Sequence, residues 1–142
     1  MSRMKRSFGK DYDFIPQTYL LPDDYRRFQT DRQNDSKGMW IVKPAASSQG
    51  KGIRVIGANT ELRKKKGTLI SKYINNPHLI NEFKYDLRIY VCVTCFDPLR
   101  IYIYDNGLVR LATEKYSNAK SKIKKKYVHL TNYSVQKKAA SY

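Results

Sequence analysis

Residues Tyr85 to Phe96, YDLRIYVCVTCF, put Leu87, Ile89, Val91 and Val93 on one side and Asp86, Arg88, Tyr90, Cys92 and Thr94 on the other. A period of two sustained over this length suits a strand and no helix, because only a pleated backbone sends successive side chains to opposite faces. Beyond a Asp-Pro turn come RIYIY and LVRLA, joined by Asp105, Asn106 and Gly107. An Asn-Gly step between alternating runs is a strong hairpin mark, since the tight turn needs positive φ at both central positions. The expectation is an antiparallel meander. Cys92 and Cys95 are the only cysteines, and three residues apart on a regular strand they point to opposite faces. They are therefore expected to be buried, reduced thiols and not a shared metal site.

The rest of the chain reads as a succession of short elements. FIPQTYLLP is an extended segment with Pro16 and Pro22 bracketing a strand, and DDYRRFQTDR a helix with two acids in its first turn. Trp40 to Lys43 reads as a strand, Pro44 to Gly52 as a loop and Ile53 to Ile56 as a second strand, together a hairpin with a long tip. Thr60 is placed to cap a short helix at ELRKKK, and TLISKYI reads as a strand followed by an NNP turn. HLINEF reads as an irregular connection, SNAKSKIKKK as a mobile lysine-rich loop, and HLTNYSVQKK as a short polar and apolar alternation. The first ten residues look like the tail of an element that begins outside the chain.

Size and charge narrow the function. One modest domain fits 142 residues, and 13% aromatic residues with twelve tyrosines argue against a disordered basic tail. There are 28 Lys and Arg against 12 Asp and Glu, a net +16, which attracts polyanions: nucleic acid, anionic lipid or acidic protein tails. No run of eighteen apolar residues and no apolar segment behind the basic N-terminus is present, so neither a membrane span nor a signal peptide is expected, and the location expected is cytosolic.

The chemistry concentrates in WIVKPAASSQGKGI. Phosphate needs a cation and several backbone N–H groups, and Gly50, Gly52 and their small neighbours let the backbone approach while Lys43 stays on the strand ahead of Pro44. The segment lacks the Ser or Thr of a Walker A loop and leads into a strand. A flexible hairpin tip with a solvated lysine satisfies the same residues. Asp86 and Arg88 share a strand face, where they meet either a ligand or each other, and Arg110 is either a second phosphate clamp or a surface residue. His78 and His129 have no acid or cysteine at ligand spacing and read as structural. No metal ligand is assigned within the chain.

WIVKP followed by SSQGKGI, ISKYINNP, FKYDLRIYV, DPLRIYIYDNGLVRLA and HLTNYSVQKK, in this order and spacing, resemble the tubulin tyrosine ligase-like family of the ATP-grasp superfamily, and most of all its tubulin polyglutamylases. The resemblance implies an α+β ATP-grasp fold with antiparallel sheets and flanking helices, incomplete at both ends. Residues 1–38 would be the end of a preceding lobe and a linker, and residues 39–142 the nucleotide-binding region. It further implies that Lys43 holds the phosphates of ATP, that Gln49, Gly50, Lys51, Gly52 and Ile53 form a lid, and that Ser71, Lys72, Tyr73 and Ile74 lie on the adenine side. Asp86 would contact ribose, Arg88 and Arg110 would serve catalysis near the transferred phosphate and substrate carboxylate, and Thr131 and Asn132 would line the cleft. ATP and magnesium are the implied cofactors, with the magnesium-binding acids beyond Tyr142.

The activity implied is transfer of the γ-phosphate to a carboxylate and displacement of that phosphate by the amine of an incoming amino acid. The implied partners are glutamate, tubulin C-terminal tails and microtubules, in cytoplasm, cytoskeleton, cilium or basal body; by charge, Lys120, Lys122, Lys124, Lys125 and Lys126 form either a docking patch for acidic tails or a solvated loop. A membrane is not an expected partner, and nucleic acid is disfavoured because the aspartate and arginines fall at nucleotide-site positions and not in a surface stripe. Glycine or tyrosine ligation, an inactive microtubule-binding adaptor and a basic nucleic-acid module stand as alternatives.

Overall fold

The computed structural model describes residues 2–46 and 50–140. Two compact units divide the chain after Asn76, with residues 118–124 rejoining the first. The first begins with α1 (Ser2–Phe8) and a 3-10 turn, Gly9–Tyr12. β1 (Thr18–Leu21), α2 (Tyr25–Asn34), β2 (Met39–Pro44), β3 (Arg54–Gly57) and β4 (Thr68–Lys72) follow. Their strands form one antiparallel sheet in the order β1-β4-β2-β3.

Alternation along these strands decides what the sheet buries. Tyr19, Trp40, Val42, Ile56 and Ile70 share a face, and Phe28 of α2 packs on it. The rings of Tyr19, Phe28 and Trp40 meet edge to face at 5.3 to 5.9 Å, the arrangement their quadrupoles favour. Full burial of side chains of this size stabilises by about 1.5–3 kcal/mol each. Residues 18–21 thus share the sheet with Trp40.

The helix expected at ELRKKK is not formed. Residues around Ala58 to Leu62 instead run along α2, where Arg32 donates Nε–H to Ala58 O and Nη2–H to Thr60 O while Leu62 enters the core. Tertiary contacts outweigh a cap and a few helix formers whose isolated helix would be too short to persist.

In the second unit β5 (Leu79–Ile80), β6 (Phe83–Arg88) and β9 (Leu108–Lys115) form a sheet, and β7 (Val91–Phe96) pairs with β8 (Leu99–Ile103). The single strand expected over residues 85–96 is therefore broken after Arg88, and the Asn-Gly hairpin is not formed. β8 returns along β7 through the Asp97-Pro98 turn, and β9 pairs with β6. Tyr104 N–H donates to Tyr90 O at 3.0 Å and Leu108 faces Arg88, so Asp105, Asn106 and Gly107 bulge opposite Ile89. Gly107 is required there because a Cβ would stand 2.6 Å from Arg88 O. β9 instead packs against α3 (Lys126–His129) and α4 (Tyr133–Gln136), and Ala112 on β9 is buried.

The cysteines differ from expectation as well. The β7–β8 register shifts between Val93 and Cys95, so Cys92 faces Tyr102 and Cys95 faces Arg100. Tyr102 and Arg100 are two apart, so the bulge brings both thiols to one face. Both are free, but Cys92 is exposed and Cys95 only half-buried. HLINEF contains β5, the lysine-rich stretch contains a 3-10 turn, Lys120–Lys122, and the stretch expected to alternate, HLTNYSVQKK, holds the last residue of α3 and then α4. Among the described residues no helix is long and apolar enough to cross a membrane.

Candidate functional site

Lys43, the last residue of β2 before Pro44, lies on the face opposite Trp40 and Val42, beside Leu69, and Ser71 lies on that same face. Its ammonium makes no ion pair among the described residues. The loop that follows turns at Gly50 and Gly52, with φ of +75° and +71°. Ile53 N–H donates to Gly50 O at 3.3 Å, and a Cβ on Gly52 would stand 2.7 Å from Pro44 Cγ, so the chain folds back against the proline. Lys51 is exposed in this turn, and Gln49 lies outside the described residues.

The Ser71–Ile74 stretch divides its side chains. Ser71 Oγ is 3.0 Å from Thr18 Oγ1, and Lys72 Nζ is 3.1 Å from an Asp35 oxygen. Tyr73 is buried, with its N–H donated to Met39 O at 2.9 Å, and Ile74 is exposed.

Asp86 and Arg110 stand directly opposite across β6 and β9. Arg110 donates Nε–H to Asp86 Oδ1 and Nη2–H to Oδ2, each at 2.7 Å, a bidentate fork. Thr131 donates its hydroxyl to the same Oδ2 at 2.6 Å. Burial alone would raise the Asp86 carboxyl, but the hydrogen bonds from Arg110 and Thr131 and the charges of Arg110 and Arg88 hold it below its usual value. The Arg110 guanidinium is in turn raised, chiefly by its hydrogen bond to Asp86. Arg88 shares the face with Asp86 by alternation, yet it is exposed, so the same-face pair that the sequence left open is realised across strands, with Arg110.

Two residues that sequence reasoning missed hold Thr131 in place. Gln136, 1% exposed, accepts from Thr113 N–H and Oγ1–H at 2.9 and 2.6 Å through Oε1, and donates to Leu130 O and Tyr127 O. Lys84 donates to His129 O at 3.0 Å. Lys84 alternates with Asp86 and Arg88, a usable signal; a lone glutamine near the C-terminus carries none. Asn132 acts through its backbone, accepting from Val135 and Gln136 N–H as α4 begins. His129 is buried with its ring against Tyr116, and His78 Nδ1 lies 3.0 Å from Tyr85 Oη, so both are structural. Among the described residues no three of His, Cys, Asp and Glu converge as a metal site would require.

By architecture the chain is an α+β protein of antiparallel sheets with short flanking helices, the class to which ATP-grasp domains belong. The model of the tubulin-tyrosine ligase family matches residues 1–142, and the chain belongs to that family. It is 47% identical to tubulin monoglutamylase TTLL4 of Homo sapiens over 143 aligned residues, covering 100% of this chain and 12% of that protein. With tubulin polyglutamylase TTLL5 of Mus musculus it shares 46% identity, over 99% of this chain and 10% of that protein. With probable tubulin polyglutamylase TTLL2 of Homo sapiens the identity is 42%, over 100% of this chain and 25% of that protein. The chain thus spans a tenth to a quarter of the length of these relatives.

Proposed function

We propose that this chain carries part of the nucleotide and carboxylate machinery of an ATP-dependent ligase that adds glutamate to tubulin tails. The observation that carries the reading is the identity of 46 to 47% along essentially the whole chain with proteins named tubulin glutamylases. Residues 39–142 are read as the nucleotide-binding region, and the location follows the substrate, the cytoskeleton.

The groups present suit a nucleotide. Lys43 has no ion pair among the described residues, and the positive φ of Gly50 and Gly52 turns the backbone tightly beside its strand, the combination a phosphate cradle needs. Bound ATP would supply the phosphoryl group that activates a carboxylate toward an amine. Lys43 neutralises phosphate charge, and residues 50–53 cover it. Ser71, Lys72, Tyr73 and Ile74 flank the base. Asp86 Oδ1 accepts one bond among the described residues and so retains a lone pair for a ribose hydroxyl. Arg110 keeps Nη1 for a phosphate or carboxylate oxygen while its other nitrogens fix Asp86. Arg88, exposed and cationic, stabilises negative charge as it develops. Thr131 and Asn132 orient this group. For magnesium the described residues do not fit: no three acids, cysteines or histidines converge, and no step is assigned to it.

The test is differential scanning fluorimetry of the chain. Millimolar ATP is expected to raise Tm, while a DNA oligonucleotide at physiological salt leaves it unchanged. A shift with the oligonucleotide and none with ATP would replace this reading with that of a basic nucleic-acid module.

A further inference from the structure

Beside α2 lies an open cleft of about 510 Å³, walled on the other side by residues 58–62. Its lining includes Tyr25, Gln29, Gln33, Asn59 and Glu61, and Arg32 forms part of its floor. Arg32 is 8% exposed and makes no ion pair among the described residues. A guanidinium buried without a carboxylate is uncommon, because desolvation penalises the charge and a buried cation is ordinarily paired.

The way Arg32 is bonded shows which part of it remains for use. Of its five N–H groups, Nε–H goes to Ala58 O and one Nη2–H to Thr60 O. These two belong to the side edge of the guanidinium. The end-on pair, one N–H each from Nη1 and Nη2, makes no hydrogen bond among the described residues, and that pair matches the two oxygens of a carboxylate. The backbone carbonyls and the Phe28 ring, 5.7 Å from the guanidinium carbon, fix its position, so a ligand would meet a preorganised fork. One further cation stands at a lining residue: Lys64 Nζ lies 4.5 Å from the centre of the Tyr25 ring. Glu61 is the acid on the lining and opposes an anion.

We propose that this cleft is a carboxylate-binding site, separate from the groups assigned to the nucleotide, in which the end-on edge of Arg32 receives the oxyanion and the amides of Gln29, Gln33 and Asn59 surround it. Two sources present such a carboxylate, a free small diacid and an acidic side chain of a polypeptide.

Titration of the isotope-labelled chain, followed by the amide resonances of residues 29–36 and 58–62, tests the site with sodium glutarate and with a hexaglutamate peptide at matched ionic strength. Arg32→Lys keeps the charge and loses the fork, and is expected to weaken binding at least fivefold. Glu61→Gln, which leaves every Arg32 bond in place, is expected to strengthen it about twofold. Saturation by glutarate assigns the site to small carboxylates, and saturation by the peptide alone to an acidic polypeptide; either supports the proposal. Should Arg32→Lys disturb the fold, Gln29→Trp, which narrows the cleft with an indole and removes one lining amide without touching the Arg32 bonds, is expected to weaken the same shifts. Resonance shifts elsewhere only, or binding indifferent to Glu61→Gln and Gln29→Trp, would overturn it.

Discussion

Asp86 is held from two directions, by Arg110 across the sheet and by Thr131 from the segment that follows α3, and the pair is about one-third exposed to solvent. Asp86→Asn keeps an acceptor but loses the charge. For a pair so open to water the expected cost is about 1 kcal/mol at neutral pH, measured by urea denaturation. The sign with pH follows from the depressed carboxyl. A group whose folded pKa lies below its unfolded value of about 4 contributes fully above that value and loses the contribution as pH falls through the folded one. The wild-type advantage over Asp86→Asn should therefore hold at pH 6 to 7 and fade in acid; an advantage that grows on acidification would contradict the ion pair.

At the scale of elements, the segment bearing Thr131 is anchored mainly by Gln136, so Gln136→Ala should loosen α3 and α4 together. It strips Thr113 N–H and Leu130 O of partners, at a cost of about 1–3 kcal/mol, and faster hydrogen exchange at Thr113 is the readout. Exchange at Thr113 unchanged from wild type would show that the clasp is idle. Gly52→Ala meets both a positive φ and Pro44, and is expected to weaken ATP binding more than Gly9→Ala, where a Cβ has open space; equal effects would argue against a shaped loop. These elements differ in how far the sequence disclosed them. β1, α2, β2, β3 and β4 were legible because alternation, prolines and acids at the helix start all agreed with one packed sheet. The Asn-Gly hairpin, the unbroken strand through Ile89 and the helix at ELRKKK were not. Each rested on a local signal, and the outcome turned on distant partners: α3 and α4 above β9, and Arg32 reaching Ala58 and Thr60. Likewise Lys43 and Asp86 were visible as residues, but the choice of Arg110 over Arg88 as the partner of Asp86 depended on register, which no spacing within β6 encodes.

For the whole molecule the net charge of +16 implies long-range attraction to acidic tails. Lys125 already pairs with Glu114 at 3.7 Å, so the lysine run is partly committed within the fold. Cosedimentation with microtubules is expected to fall as salt rises from low to physiological levels, and to fall further when Lys120, Lys124 and Lys126 are changed to Glu; binding insensitive to both would remove the electrostatic docking. The nucleotide reading itself rests on Lys43, a strand-borne ammonium beside a tightly turned glycine loop. Titration of the chain with a fluorescent ATP analogue, comparing wild type with Lys43→Met, is the most direct check. Loss of one charge-assisted phosphate contact should weaken uptake about tenfold or more with the fold intact by circular dichroism. Equal affinity in the two proteins would mean that Lys43 does not hold phosphate.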